Sequence, residues 1–323
     1  VNKTFQRLLR PALRPGVWAV TSALLLGGFA FAGSSAAETN SAPDHTASIR
    51  IAGAPEDDNS CDPLATASPS TSDGGLDVQR IIRRGKLVAG IDTNSYLWGF
   101  RDPNSGDVQG FDIDLVHALA AAILGDPNKV TLLAVPTDQR IPALQNGLVD
   151  VVVRTFTHNC AREKQVSFSA DYFETGQQIL VPKDSKVTGL NSSIKGQRIC
   201  TAKGSTAEGL LQGSAYKSQE VPVENQLDCL VLMQLGQVDA TITDGALAAG
   251  LNAQDKSLRI VPGTLDTEYY AVAVKLGSHD LVARINAVLQ SYIGGGAWQQ
   301  SYGKWIKPIT GQNSAPPAAH YTG

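Results

Sequence analysis

The sequence predicts an α/β chain of two lobes with a ligand cleft between them. Three observations carry this expectation. Short apolar runs alternate with helix-spaced segments twice over, in residues 86–153 and again in residues 198–243. Apolar residues make up 42% of a 323-residue chain, which leaves room for two domains of ordinary size, each with a core. Polar side chains gather just after the apolar runs, where open α/β sheets place their ligands.

In chain order, residues 86–92 (KLVAGID) read as a buried strand that ends at an acid. Residues 110–124 follow as a helix, with Ile113, Val116, Ala120 and Ile123 at helical spacing. Residues 130–135 form a second strand, 140–146 a helix stopped at Gly147, and 150–153 a third strand. The second set has strands at 198–202 and 238–243 and helices at 206–211 and 227–235. Such alternation gives parallel-rich sheets flanked by helices on both faces.

The flanks are different in kind. Lys3, Arg7, Arg10 and Arg14 precede an apolar run over 17–32, and Ser35-Ala36-Ala37 offers a small-residue cleavage site. Residues 1–37 therefore read as a secretory signal peptide. The apolar run is shorter than the roughly 20 residues of a spanning helix, and an uncleaved anchor is the alternative. Asn59-Ser60 before Cys61 is not a lipobox. The expected location is outside the plasma membrane, on its extracellular or periplasmic face, soluble or signal-anchored. Residues 38–75 read as a low-complexity linker and 308–323 as a disordered tail.

Four cysteines (Cys61, Cys160, Cys200, Cys229) in an exported chain point to two disulfides. No C-x-x-C or Cys/His spacing suggests a metal, and the five histidines are isolated. The net charge of -3 with no long basic stretch argues against a nucleic-acid partner. No nucleophile elbow, H-E-x-x-H or catalytic Cys/His pairing is visible, so neither an enzyme nor a cofactor is expected.

The residues after the strands suit a zwitterion. Arg162 can grip a carboxylate with two parallel hydrogen bonds, with the Thr157 hydroxyl five residues earlier, or it is a surface arginine of a first helical turn. Gly204-Ser205-Thr206 follows a strand and opens a helix, where free N–H groups favour an anion; Thr206 is alternatively a plain N-cap. Asp244 either accepts from an ammonium or caps the helix after it. Trp98 is either an apolar wall of the site or core. Arg154 follows three valines of a buried strand, so its cation must leave the core at the strand end, toward the cleft. Arg154 is thus a candidate partner for an acidic ligand side chain. Arg140 is a second candidate, or a helix-surface residue.

At these residues the chain resembles the polar-amino-acid solute-binding proteins, family 3 of the binders that serve bacterial importers. The resembling segments are GFDIDLVHALA (110–120), IPALQNGLVDVVV (141–153), TFTHNCAR (155–162), VSFSADYFETG (166–176), the stretch from Lys195 to Thr206, QLGQVDATITDGALAAGL (234–251), TEYYAVAVKLGSHDLVARIN (267–286) and GAWQQSYGKW (296–305). They keep the family's order and spacing over about residues 76–307. The four cysteines, the acidic linker and Arg154 look most like the glutamate/glutamine-binding branch of high-GC Gram-positive bacteria.

The resemblance implies a two-lobed periplasmic-binding-protein fold of type II with two hinge strands. One lobe would comprise 76–173 and 273–307, the other 174–272. Cys200 would pair with Cys229, leaving Cys61 for Cys160. Arg162 and the Thr206 N–H would hold an α-carboxylate, and Asp244 with groups near Thr155 and Thr157 the α-ammonium. The family often has a small residue at Arg154 and an aromatic at Thr137, departures that favour a carboxylate-bearing ligand: glutamate or aspartate, with glutamine and asparagine as alternatives. The implied partner is a membrane permease of an ABC importer. The rivals are a membrane sensor and, on the same fold, a dehydratase-like enzyme.

Overall fold

The computed structural model describes residues 61–322 except Pro63. The expected signal peptide and the first part of the expected linker lie outside the described residues. Two five-stranded sheets dominate. The first runs Val130–Ala134, Leu87–Ile91, Val151–Val152, Glu268–Lys275, Val166–Thr175. The second runs Gln219–Val223, Arg198–Ala202, Ala240–Asp244, Gln177–Pro182, Leu258–Ile260. The first three strands of each are parallel, as the strand–helix alternation predicts. The last two pair antiparallel, so each sheet is mixed.

The continuous apolar runs are explained by cores on both sheet faces. Val151 and Val153 join one core while Val152 joins another. In the second sheet Ile179 and Val181 face one core and Leu180 the opposite one. Helices Phe111–Leu124 and His279–Gly294 cover one face of the first sheet, adding Phe111, Val116, Leu119, Ile285 and Leu289 to its core.

The chain crosses between the sheets twice. The first crossing is at Gly176, between Val166–Thr175 and Gln177–Pro182. A Cβ at Gly176 would lie 2.1 Å from the Asp266 carbonyl oxygen, so only glycine lets the two crossing segments approach. The second crossing connects Leu258–Ile260 to Glu268–Lys275.

The G-F-D motif is a folding device. Gly110, at φ 140°, would place a Cβ 2.3 Å from the Trp98 carbonyl oxygen. Its neighbour Asp112 is buried and accepts from the Thr155 N–H and the Tyr172 hydroxyl, each at 2.8 Å. Burial pushes this carboxyl up to about 7.

Two disulfides are formed. Cys200–Cys229 joins strand Arg198–Ala202 to helix Gln226–Gln234, and Cys61–Cys160 ties the N-terminal extension to the short helix Cys160–Glu163. The ends of the described chain differ from the loose linker and frayed tail read from composition. Strand Ala65–Ala67 pairs in parallel with His320–Thr322. The reason is polar anchoring: the buried Thr66 hydroxyl donates to the Phe168 carbonyl at 3.0 Å, and the Asn286 amide donates to Thr66 Oγ1 and the Ala67 carbonyl. Among the described residues no helix is long and apolar enough to cross a membrane.

Candidate functional site

A small cavity of about 30 Å³ lies beyond the carboxyl ends of strands from both sheets. Arg140, Arg154, Arg162, Thr155, Thr157, Ser205, Thr206 and Asp244 border it, together with Asp92, Ser95, Thr137, Gln226 and Thr243. Trp98 does not. It is fully buried in the first sheet's core, edge-on to Phe111, Phe173 and Tyr270, with its Nε1–H toward the Ala246 carbonyl at 3.4 Å. The aromatic wall read at this position is therefore core.

Arg162 sits in helix Cys160–Glu163, which is only four residues long, and the Asn159 side chain fixes its start by accepting the Arg162 N–H at 3.0 Å. The guanidinium donates to the Thr157 carbonyl at 2.8 Å and, across to the second sheet's side, to the Gly204 carbonyl at 3.1 Å. Arg140 donates to the carbonyls of Thr137 at 2.8 Å and Thr155 at 3.3 Å. Both guanidiniums lie over the Phe156 ring, 4.2 Å and 4.9 Å from its centre for Arg140 and Arg162. Among the described residues neither is paired with a carboxylate. Burial pulls both below the ordinary arginine range, Arg140 the further because Arg162 and Arg154 stand close.

Arg154 is expected at the strand end as a partner for an acidic ligand side chain. It does reach the cavity, but it is ion-paired with Asp92 at 3.0 Å and donates to the Thr137 hydroxyl at 3.0 Å. A buried cation without such a partner would cost several kcal/mol, on the order of 3–5. Asp92 in turn is held by the N–H groups of Thr93 and Asn94 and the Ser95 hydroxyl.

Thr155 adopts φ 40°, a left-handed conformation that costs a non-glycine residue roughly 1–3 kcal/mol. Its N–H bond to Asp112 holds that conformation. The strained turn brings Thr155, Thr157 and Arg162 to one side of the cavity.

Asp244 ends strand Ala240–Asp244 and stands at the N-cap of helix Gly245–Gln254, yet it makes no capping hydrogen bond. Its carboxyl instead accepts from the Tyr270 hydroxyl and from the Gln177 amide. The same amide nitrogen reaches Glu268 Oε1 and Thr206 Oγ1, each at 3.0 Å, and Thr157 donates its hydroxyl to Glu268. Burial, and then the neighbouring Glu268, push Asp244 up to about 7. Ser205 uses its hydroxyl as the N-cap of helix Thr206–Gln212, accepting the Glu208 N–H at 3.1 Å. Gly204, at φ 70°, would place a Cβ 2.9 Å from the Asp138 Cα, so glycine is required where this turn meets the opposite wall.

Sequence reasoning missed Gln177 and Glu268, which are buried behind the cavity at the two crossings. The available signal was a polar residue directly after Gly176 and an acid opening an otherwise apolar strand. Asp92 was noted only as the acid that ends a strand.

Residues 87–308 match the profile of the bacterial extracellular solute-binding proteins, family 3. The chain is 37% identical over 222 residues to the ABC transporter glutamine-binding protein GlnH of Bacillus subtilis, covering 69% of this chain and 81% of that one. It is 26% identical over 240 residues to the glutamate-binding protein GluB of Corynebacterium glutamicum, covering 71% and 81%. Among solved structures it is similar to an ancestral arginine-binding protein bound to glutamine, at 35% identity and a TM-score of 0.65, covering 69% of this chain and 98% of that one. The arginine-binding protein of T. maritima, as a mutant, superposes with a TM-score of 0.68 at 28% identity, covering 72% and 100%.

Proposed function

The chain belongs to the bacterial extracellular solute-binding proteins of family 3, amino-acid binders of ABC importers, and from that premise we propose that its ligand is an acidic amino acid, glutamate or aspartate. One observation carries this reading. Arg140 and Arg162 bring two buried guanidiniums to one cavity, each bonded only to carbonyl oxygens among its described partners.

Arg162 takes the α-carboxylate, with the Thr206 N–H beside it. Asp244 takes the α-ammonium. Arg140 takes the side-chain carboxylate. Arg154 keeps its bond to Asp92 and shapes the wall. Hydrogen bonds between ionised partners are about twice as strong as neutral ones, so a second carboxylate gains more from Arg140 than an amide does. Contacts from both sheets favour closure about the two crossings, and the closed form is delivered to the permease. Relatives described as binding glutamate, or glutamate and aspartate, support the acidic choice, and those described as binding glutamine mark its nearest competitor.

Thermal shift with glutamate, aspartate, glutamine and asparagine tests this reading. A ligand at a hundred times its Kd stabilises by about 2.7 kcal/mol, a shift of a few degrees. Glutamate or aspartate is expected to give it. A shift with the amides alone contradicts the acidic ligand, and none with any amino acid contradicts the amino-acid site.

A further inference from the structure

We infer that Glu268 and Gln177 are positioning residues for the ammonium end of the ligand, setting Asp244 to hold one proton that the incoming α-ammonium displaces to solvent. This deepens the amino-acid-binding reading and rests on it.

The geometry is that of a small closed network at the two crossings. Gln177 is the first residue of strand Gln177–Pro182 and Glu268 the first of strand Glu268–Lys275. Both are buried, and neither borders the cavity, whereas Asp244 does. The two N–H groups of the Gln177 amide face three acceptors: Asp244 Oδ1, Glu268 Oε1 and Thr206 Oγ1. A proton on Asp244 leaves it in less need of a donor. The other donors, Tyr270 to Asp244 and Thr157 to Glu268, are neutral hydroxyls.

The charged groups around the pair do not neutralise it. Arg162 and Arg140 draw Asp244 toward its ionised form, but neither is bonded to it, and burial outweighs them. Asp266, on the second crossing, accepts the Gln177 N–H at 2.7 Å and adds negative charge. Two buried carboxyls bridged by one amide cannot both ionise cheaply. Burial first, and then the neighbouring Glu268, displace Asp244 upward to about 7.

The balance is simple. An amino acid arrives as the ammonium with three N–H donors, Asp244 becomes the carboxylate that accepts from it, and one proton passes to solvent. Gln177 and Glu268 act through Asp244, and Glu268 also aligns Thr157 beside Arg162.

The experiment is calorimetric titration of the full chain with glutamate in buffers of different ionisation enthalpy, from about pH 6 to about pH 8.5, which counts protons released. Wild type is expected to release about one proton near pH 6, about half near pH 7 and almost none near pH 8.5, with Kd rising up to about tenfold per unit below pH 7. Glu268→Gln is expected to cut the release near pH 6 by at least half, and Gln177→Met, as the second variant, which removes a donor to both carboxyls, to shift the release the opposite way, extending it toward pH 8.5. Binding heat with no buffer dependence in wild type overturns the inference, as does an unchanged proton count in a folded Glu268→Gln protein. Absence of heat with every amino acid instead overturns the amino-acid-binding reading.

Discussion

On one side of the site Arg140 and Arg162 are held by backbone carbonyls and the face of Phe156; on the other, Asp244, with Glu268 behind it, is held by Gln177 and Tyr270, and Glu268 by Gln177 and Thr157. The cationic end cannot discharge itself, because arginine stays protonated even when burial lowers its pKa. It therefore has to be matched by charge brought from outside. The acidic end can discharge itself by keeping a proton, so its charge depends on pH. On the proposed reading, the difference means that one end sets which ligand is chosen and the other sets under what conditions it is held.

Substitutions at the cationic end should have the largest effects. Arg162→Met is expected to weaken glutamate binding by about a thousandfold, since truncating one partner of a buried charged pair costs about 2–5 kcal/mol. Calorimetry reads this directly, and a loss under tenfold would mean that the α-carboxylate lies elsewhere. Arg140→Gln is expected to weaken glutamate by about 30–100-fold and glutamine by only about threefold, because it removes the charge that meets the side-chain carboxylate. Equal losses for both ligands would give Arg140 a role in the wall only.

The pH response of the acidic end comes next. Asp244 is raised from 3.8 to about 7, so its protonated form is favoured in the fold. Its contribution to stability is present at low pH and is lost as pH rises through about 7. Ligand binding needs the ionised form and has the opposite slope. The rise in Tm produced by glutamate should therefore be larger near pH 8 than near pH 5.5, and a constant rise would separate Asp244 from the ammonium.

The smallest effect on binding is expected at the Cys200–Cys229 bridge. Removing it with Cys200→Ser and Cys229→Ser reopens a loop with a sequence separation of 29 and should cost about 3–4 kcal/mol in denaturant unfolding. Affinity should stay within about twofold, since neither cysteine borders the cavity.

The parallel half of each sheet was legible because its strands are buried on both faces and read as unbroken apolar runs, as with Val151, Val152 and Val153. Strand Gln219–Val223 was not: it is an edge strand with exposed Gln219, Glu220 and Pro222, and its composition resembles a loop. The arginines, threonines and Asp244 could be read from their position after strands. Gln177 and Glu268 could not, because Gln177 meets Asp244 only through strand pairing at a sequence separation of 67, and Glu268 only after the chain has crossed back, at a separation of 91. Trp98 shows the limit from the other side. Its spacing after a strand fits a wall or a core equally, and only the packing against Phe111, Phe173 and Tyr270 decides.

The ratio of Kd values for glutamine and glutamate on the wild-type chain, measured by calorimetry near pH 7.5, tests the central claim most directly. Two guanidiniums that await two carboxylates predict glutamate tighter by at least about tenfold, equivalent to about 1.4 kcal/mol. Glutamine binding as tightly as glutamate, or tighter, would contradict it.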